Sequence, residues 1–269
     1  MLVRIYSWIH TEVEERNTMV RGLYIAGTGM MLQRRRMEVI TNNVANADTT
    51  GYKRDNLVSH SFDEVLIRRV NDTHVRGQTP FVGPLNLGTQ VDQAYIDFTA
   101  GSLEGTERST DIALMGDAFF VVETAAGERY TRSGAFYIDD LGYLVDGEGN
   151  FLLGENGRVL VGGMNFIVDE WGGVFVDGQF TNRIRVASFE DNGALRKQGS
   201  NLYFSPDAPL DAANPYRMFQ GFLEASNVDI GREMVDMLTV FRTYETNQRI
   251  LTMIDETVGK AVTEIGRLR

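Results

Sequence analysis

From Ile230 to Ile265 the apolar side chains recur at alternating steps of three and four. Ile230, Met234, Met237, Phe241, Tyr244, Leu251, Val258, Val262 and Ile265 occupy the repeat, and Gln248 and Asp255 are its polar breaks. A repeat sustained over about five heptads is the mark of a helix whose seam meets another helix. The competing reading is an amphipathic helix on an ordinary core, and the two polar breaks are its support. Ser226-Asn227-Val228-Asp229 offers capping side chains just before the repeat. A shorter version lies near the start, where Leu23, Ala26, Met30, Met37, Ile40, Val44 and Ala47 keep the spacing and Gln33 fills the one polar position. This predicts an amphipathic helix of roughly 25 residues from Met19. It should end near Asn46, because Asp48-Thr49-Thr50-Gly51 is turn chemistry with a glycine free to take positive φ. The methionines of both seams (Met30, Met37, Met234, Met237) read as adaptable packing rather than as ligands.

Between the two patterned ends the chain changes character. All five prolines fall between positions 80 and 215 and 21 of the 28 glycines between 51 and 200, residues that mark tight turns rather than long helices. Asp111–Val122 (DIALMGDAFFVV) and Arg129–Ile138 (RYTRSGAFYI) read as strands. Turn signals follow at Asp146-Gly147, Glu155-Asn156-Gly157, Trp171-Gly172-Gly173, Asp177-Gly178 and Asp191-Asn192-Gly193. Short strands at roughly ten-residue spacing indicate an antiparallel β domain. The expected fold is therefore α+β, with terminal helices pairing as a coiled-coil-like module around a central antiparallel β-rich domain. The corresponding division is an extension at 1–18, a helix and extended connector at 19–75, a β-rich domain at 76–220 and the heptad helix at 221–269. The acidic, glycine-rich stretch 139–150 suggests calcium at first sight. It lacks the ordered ligand spacing and closing glutamate of an EF-hand loop, and hairpin turns are the better reading.

The chain has 26 basic and 37 acidic residues, a net charge of −11, which disfavours a nucleic-acid partner. Both patterned ends are close to neutral, so the acidic excess sits in the middle. Neutral ends can approach copies of themselves, whereas an acidic middle stays solvated. No apolar run reaches the length of a membrane span. With no cysteine, disulfides and thiolate sites are excluded. Three histidines (His10, His60, His74) leave little for a metal centre or a serine triad. Phosphate-loop, dinucleotide, HExxH and GxSxG motifs are missing. Arg34-Arg35-Arg36 reads as a solvated helix face. No catalytic residue, cofactor or metal is expected. Residues 1–18 lack the basic start, unbroken apolar core and cleavage site of a secretory signal. They read as an upstream extension, with Met19 as the functional first residue.

Three ordered motifs carry a resemblance. Gly22-Leu23-Tyr24-Ile25-Ala26-Gly27-Thr28-Gly29-Met30 and Asn42-Asn43-Val44-Ala45-Asn46-Ala47-Asp48-Thr49-Thr50-Gly51-Tyr52-Lys53 resemble the N-terminal region of bacterial flagellar rod and hook proteins. Thr110–Leu114, Phe119–Val122 and Tyr130–Gly134 are similar to the opening of that family's β domain. Glu224–Asp229, Glu233-Met234-Val235 and Arg242–Asn247 resemble its C-terminal helix. Ala118 stands where the family usually has glycine, and Val44 where leucine is common. The resemblance implies a non-enzymatic subunit of the flagellar basal body, exported by the flagellar type III apparatus. It would assemble with copies of itself and neighbouring rod and hook proteins, through both terminal helices, into a hollow axial tube that transmits torque and passes exported subunits. The assembly residues are then expected to be Leu23, Met30, Met37, Ile40, Asn42, Asn43, Val44, Asn46, Thr50 and Gly51 at the first end. At the second they are Met234, Met237, Phe241, Tyr244, Leu251, Val258 and Val262. The short stretch between the helices favours a rod subunit over a hook subunit. A secreted carbohydrate-active enzyme or adhesin built on the β domain is the rival from another class.

Overall fold

The computed structural model describes residues 2–68, 81–86, 88–206, 209–211 and 216–266, with residues 2–20, 65–68, 81–85, 210–211 and 265–266 described by backbone alone. The architecture is α+β: one helix near each end and a central antiparallel β-rich region. The chain divides into two compact units, one of Met1–Asn42, Asn56–Tyr95 and Gly231–Arg269, the other of Asn43–Asp55 and Ile96–Ile230.

Helix α1 spans Leu2–Ala45, 44 residues, and so begins well before the expected start at Met19. Neither glycine nor proline occurs between Leu2 and Arg21, so nothing in that segment breaks a helix. Its C-terminal end falls where the turn chemistry predicts. Three-residue hydrogen bonds, Asn46 N–H to Asn43 O and Ala47 N–H to Val44 O, tighten the last turn. Helix α2 spans Ile230–Gly266. The first unit also contains a ribbon pairing Val65–Arg68 with Phe81–Leu85. His60 lies in this unit with its Nδ1 3.8 Å from Asp92 Oδ2, on the surface, and so has a facing carboxylate that its sequence context does not announce. His74 lies outside the described residues.

Inside the first unit, α1 and α2 touch through two glycines. A Cβ on Gly22 would meet Ile254 Cδ1 at 3.3 Å, and one on Gly29 would meet Asn247 Nδ2 at 3.0 Å. Rising numbers on α1 face falling numbers on α2, so the helices run antiparallel at these contacts, and each pair is spaced by seven. The half-buried and buried residues of α2 follow suit. Glu233, Met237, Val240, Tyr244, Asn247, Leu251 and Ile254 form one stripe at steps of four and three. On α1 Ala26, Leu32, Gln33 and Ile40 are buried, three of them seven apart, with Met30 and Met37 half-buried between them. Gln33, the polar break, is itself on the covered face.

The second unit is organised by the strand Phe119–Thr124. Its first four residues are apolar and all buried, the mark of a strand covered on both faces. Alternation then sends Phe120 and Val122 into one core, with Ile112, Phe136, Leu144, Leu152 and Val174. Phe119 and Val121 enter the other, with Tyr130, Phe189, Leu195 and Tyr203. Neighbours pair antiparallel on both sides: Gly127–Thr131 with Phe120↔Thr131 in register, and Phe151–Gly154 with Leu152↔Val122. The sheet then extends through Leu202–Phe204 to Arg196–Lys197 at one edge, and through Leu144–Val145 to Tyr137–Ile138 at the other. A separate three-stranded sheet joins Phe166–Val168, Gly173–Val176 and Gln179–Arg183.

Turn chemistry decides the hairpins. Asp177 and Gly178 connect Val176 to Gln179 with φ of 51° and 79°, the paired positive values of a two-residue hairpin turn. Three longer loops share a single build. In each an aspartate Oδ1 accepts the N–H groups two and four residues on: Asp139 from Leu141 and Tyr143, Asp146 from Glu148 and Asn150, Asp169 from Trp171 and Gly173. The glycine three residues on takes positive φ each time. These acidic residues hold backbone, which accounts for the stretch 139–150 without a cation. Asp191-Asn192-Gly193 differs from the expected hairpin: Asn192–Ala194 is a turn of 3₁₀ helix capped by the Asp191 carboxylate.

Candidate assembly surface

Two different fates await the residues singled out from the sequence. One group lies on the helices of the first unit. Met237, Tyr244 and Leu251 belong to the covered stripe of α2, whereas Met234, Phe241, Val258 and Val262 are exposed. Met234 and Phe241 keep 53% and 48% of their surface open, and Val235 and Leu238 beside them are as exposed. On α1, Ile40 is buried, Met30, Met37 and Val44 are half-buried, and Leu23 and Asn42 are exposed. Apolar surface thus remains uncovered on both helices, and on α2 it recurs at helical spacing through Ile230, Met234, Leu238 and Phe241.

The other group lies in the second unit, in the last turn of α1 and the loop that follows it. Asn43 is buried and clips this loop. Its Nδ2 donates to Asp55 O at 2.9 Å, and its Oδ1 accepts from Asp55 N at 3.0 Å and from the Tyr52 hydroxyl at 3.2 Å. Thr50 O accepts from Asn201 Nδ2, and Thr50 Oγ1 meets Ser133 Oγ. Asn46 Oδ1 accepts from Thr49 Oγ1 at 3.3 Å. Gly51 has φ of +66°, its N–H donates to Glu224 O at 2.7 Å, and a Cβ there would lie 2.4 Å from the Arg132 carbonyl carbon. Only glycine meets both demands.

At the centre of this contact sits a buried ion cluster that the sequence did not single out as a site. Lys53 Nζ donates to Glu224 Oε1 at 2.6 Å and to Thr99 O at 2.8 Å. Arg132 Nη1 lies 3.6 Å from Glu224 Oε2, and all three side chains are almost wholly buried. Gly101 N–H adds a bond to Glu224 Oε1, and Arg132 donates to Leu114 O and Gly116 O. Burial pulls the Lys53 ammonium and the Arg132 guanidinium below their ordinary values, and the Glu224 carboxylate opposes both shifts. Lys197 reinforces the loop from another strand, with its Nζ 2.9 Å from Asp55 Oδ1, bonded to Lys53 O at 2.7 Å and set over the Tyr52 ring. Asn227 closes the arrangement by accepting Arg54 N–H and donating to Asp97 O and Thr99 O. Lys53 and Glu224 are 171 residues apart, and a single sequence offers no signal of their pairing beyond each sitting at the edge of a motif. Among the described residues no group of three or more His, Asp or Glu could hold a metal ion.

The arrangement welds the segment after α1 to the segment before α2 through charge and backbone hydrogen bonds. Comparison with known proteins agrees with that structural character. Three family models match in chain order: flagella basal body rod protein over residues 23–53, the D1 domain of flagellar hook protein FlgE/F/G over 113–187, and the C-terminal region of flagellar basal body rod FlgEFG protein over 220–264. The flagellar hook-basal body complex protein FlhO of Bacillus subtilis is 33% identical over 93% of this chain and 100% of its own length. The chain belongs to the flagellar basal-body rod protein family. The basal-body rod protein FlgG of Buchnera aphidicola from Acyrthosiphon pisum is 30% identical over 90% of the chain and 98% of its own length. FlgF of Caulobacter vibrioides is 29% identical over 93% and 100%. As a member of this family the chain is a structural protein of the flagellar basal body. The loop and its ion cluster lie where the first and last matched regions end and begin, which makes Lys53 and Glu224 part of the family's own segments in this chain. No helix among the described residues is long and apolar enough to cross a membrane.

Proposed function

We propose that this rod subunit polymerises through its two terminal helices into the hollow axial tube of the basal body, alongside neighbouring rod and hook proteins, and that it leaves the cell through the flagellar type III apparatus. The observation that carries this reading is the uncovered apolar repeat on α2 centred on Met234, Leu238 and Phe241, with Leu23 and Met31 open on α1. Such surface in a repeat is costly to leave in water, and a coiled-coil-like partner seam covers it. The antiparallel contacts of Gly22 with Ile254 and Gly29 with Asn247 support pairing of the two helices within one subunit. The outer stripe is then left for a neighbour. Residues 19–75 and 221–269 serve as assembly segments, and 76–220 form the outer β-rich part.

A tube that transmits torque needs its helices fixed to the outer part. Within the second unit the buried Lys53–Glu224–Arg132 cluster supports that role, since it ties the segment that follows α1 to the segment that precedes α2. End-to-end coverage of rod-type relatives favours a rod over a hook subunit. Mass spectrometry of purified hook–basal bodies tests the assignment: the chain is expected in that fraction, and its absence from the basal bodies of motile cells defeats the reading.

A further inference from the structure

The large sheet of the second unit carries a cationic pocket at one edge and an acidic turn at the other, and the two are chemically complementary. The pocket, about 260 Å³, is lined by Arg129, Arg196, Lys197, Gln198 and Phe204. Arg196 pairs in register with Phe204 across the edge strands, and the Arg129 guanidinium lies over the Phe204 ring, 5.0 Å from its centre. Arg129 is held in place, with Nε donating to Gln198 Oε1 and Nη1 to Glu128 O. The charge of Lys197 is taken by Asp55. Neither Arg129 nor Arg196 has a carboxylate partner among the described residues, although the chain as a whole is strongly acidic. The fixed Arg129 guanidinium and the second cation, Arg196, beside an aromatic wall suit a carboxylate that arrives together with an apolar group.

At the far edge the turn between Tyr137–Ile138 and Leu144–Val145 presents that combination. Asp140 is exposed and has no cation partner among the described residues. Leu141 next to it is 73% exposed, more than any other large apolar side chain described. The turn is preorganised, since Asp139 Oδ1 accepts the Leu141 and Tyr143 N–H groups and Gly142 has φ of 87°. In the similarly built turn at Asp169–Gly173 the matching acid, Glu170, already faces Arg217 at 3.9 Å. Asp140 is the one left over.

Six strand spacings separate the two edges, on the order of 29 Å along the sheet. One chain therefore cannot close the contact on itself. We propose that the Asp140-Leu141 turn of one subunit docks into the Arg129–Arg196–Phe204 pocket of a second copy of this chain. The contact joins unlike surfaces and repeats without limit, which is the kind that builds open helical assemblies. It adds an outer lateral contact to the helix-mediated tube and rests on the rod-subunit reading.

The absence of native cysteine allows a direct test. A full-length D140C/R196C chain, isolated in hook–basal bodies and treated with a mild oxidant, should form a ladder of disulfide-linked oligomers, while each single variant stays monomeric. In a second arm, D140R and R196D should each at least halve the swimming diameter in soft agar, and the combined swap should recover it. A double-cysteine chain present in basal bodies but monomeric after oxidation overturns the proposal and leaves the rod reading intact. So does a charge swap that fails to recover swimming. Absence of the parental chain from basal bodies overturns both.

Discussion

Glu224 neutralises two buried cations at once, and this makes it the most exposed point of failure in the fold. Replacing one partner of a buried pair strands the remaining charge, at a cost of about 3–5 kcal/mol. Glu224→Gln strands both Lys53 and Arg132, and urea unfolding of the full chain should show a loss in that range. Lys53→Met leaves Arg132 to neutralise Glu224 and should cost less; the reverse order would contradict the assigned geometry. Tyr203 gives a second residue-scale prediction. Its hydroxyl is buried with no hydrogen-bond partner among the described residues. Burial pushes its ionisation well above the ordinary tyrosine value near 10, with Asp55 adding to the shift. A tyrosine raised in this way binds more protons folded than unfolded above pH 10. Its contribution is therefore whole below that value and is lost as pH rises toward the folded value. Tyr203→Phe should keep or gain stability at neutral pH, by up to about 1 kcal/mol, because it removes an unsatisfied group. It should also flatten the alkaline fall in melting temperature. A steeper alkaline fall in the variant would refute the assignment.

At the scale of elements, spacing in the sequence located both helices and the antiparallel β character, but not which helix face is covered. The three-four alternation admits two overlapping stripes on α2 that share Met237, Tyr244 and Leu251. Apolarity selects the one through Met234 and Phe241, whereas the covered stripe runs through Glu233, Val240, Asn247 and Ile254. Polar residues occupy covered positions because they face partners that sequence spacing cannot reveal, such as the glycines of α1. Asn43 at the end of α1, and Thr50 and Gly51 in the loop beyond it, were legible from turn chemistry and motif resemblance. Lys53, Arg132 and Glu224 were not, since a charged residue reads as surface until its distant partner is known. The glycines of α1 now separate by role. Gly27 has nothing near its missing Cβ, and Gly29 has Asn247 at 3.0 Å. Gly27→Ala should therefore stabilise α1 by about 0.5–1 kcal/mol through helix propensity. Gly29→Leu should lower stability, since the larger side chain must displace Asn247. Thermal melts of the two variants check the contrast, and equal shifts would remove the argument for close helix approach at Gly29.

For the whole molecule, what matters is whether a side chain serves the subunit's own fold or the polymer. Leu251 and Phe241 sit on the same helix and differ on this point. Leu251 is half-buried on the stripe facing α1 within the first unit, while Phe241 is 48% exposed. The sequence pattern placed both on one seam as expected assembly residues; the half-buried position of Leu251 gives it a part in the fold as well. Leu251→Asp forfeits part of the roughly 1.5–3 kcal/mol available from burying a leucine and brings a carboxylate to a partly covered site. The isolated subunit should therefore melt at a lower temperature. Phe241→Asp removes side-chain surface that is already half in water, and a surface change of that kind shifts stability by only about 0.5 kcal/mol. In the polymer a neighbour's helix would cover that position, and each added subunit would meet the same desolvated charge. Phe241→Asp should thus give a normally melting chain that cannot extend the rod, and non-motile cells. Leu251→Asp should lower melting temperature and motility together. Normal swimming by the Phe241→Asp strain would show that the open stripe of α2 is not the assembly surface, whatever the melting curves say.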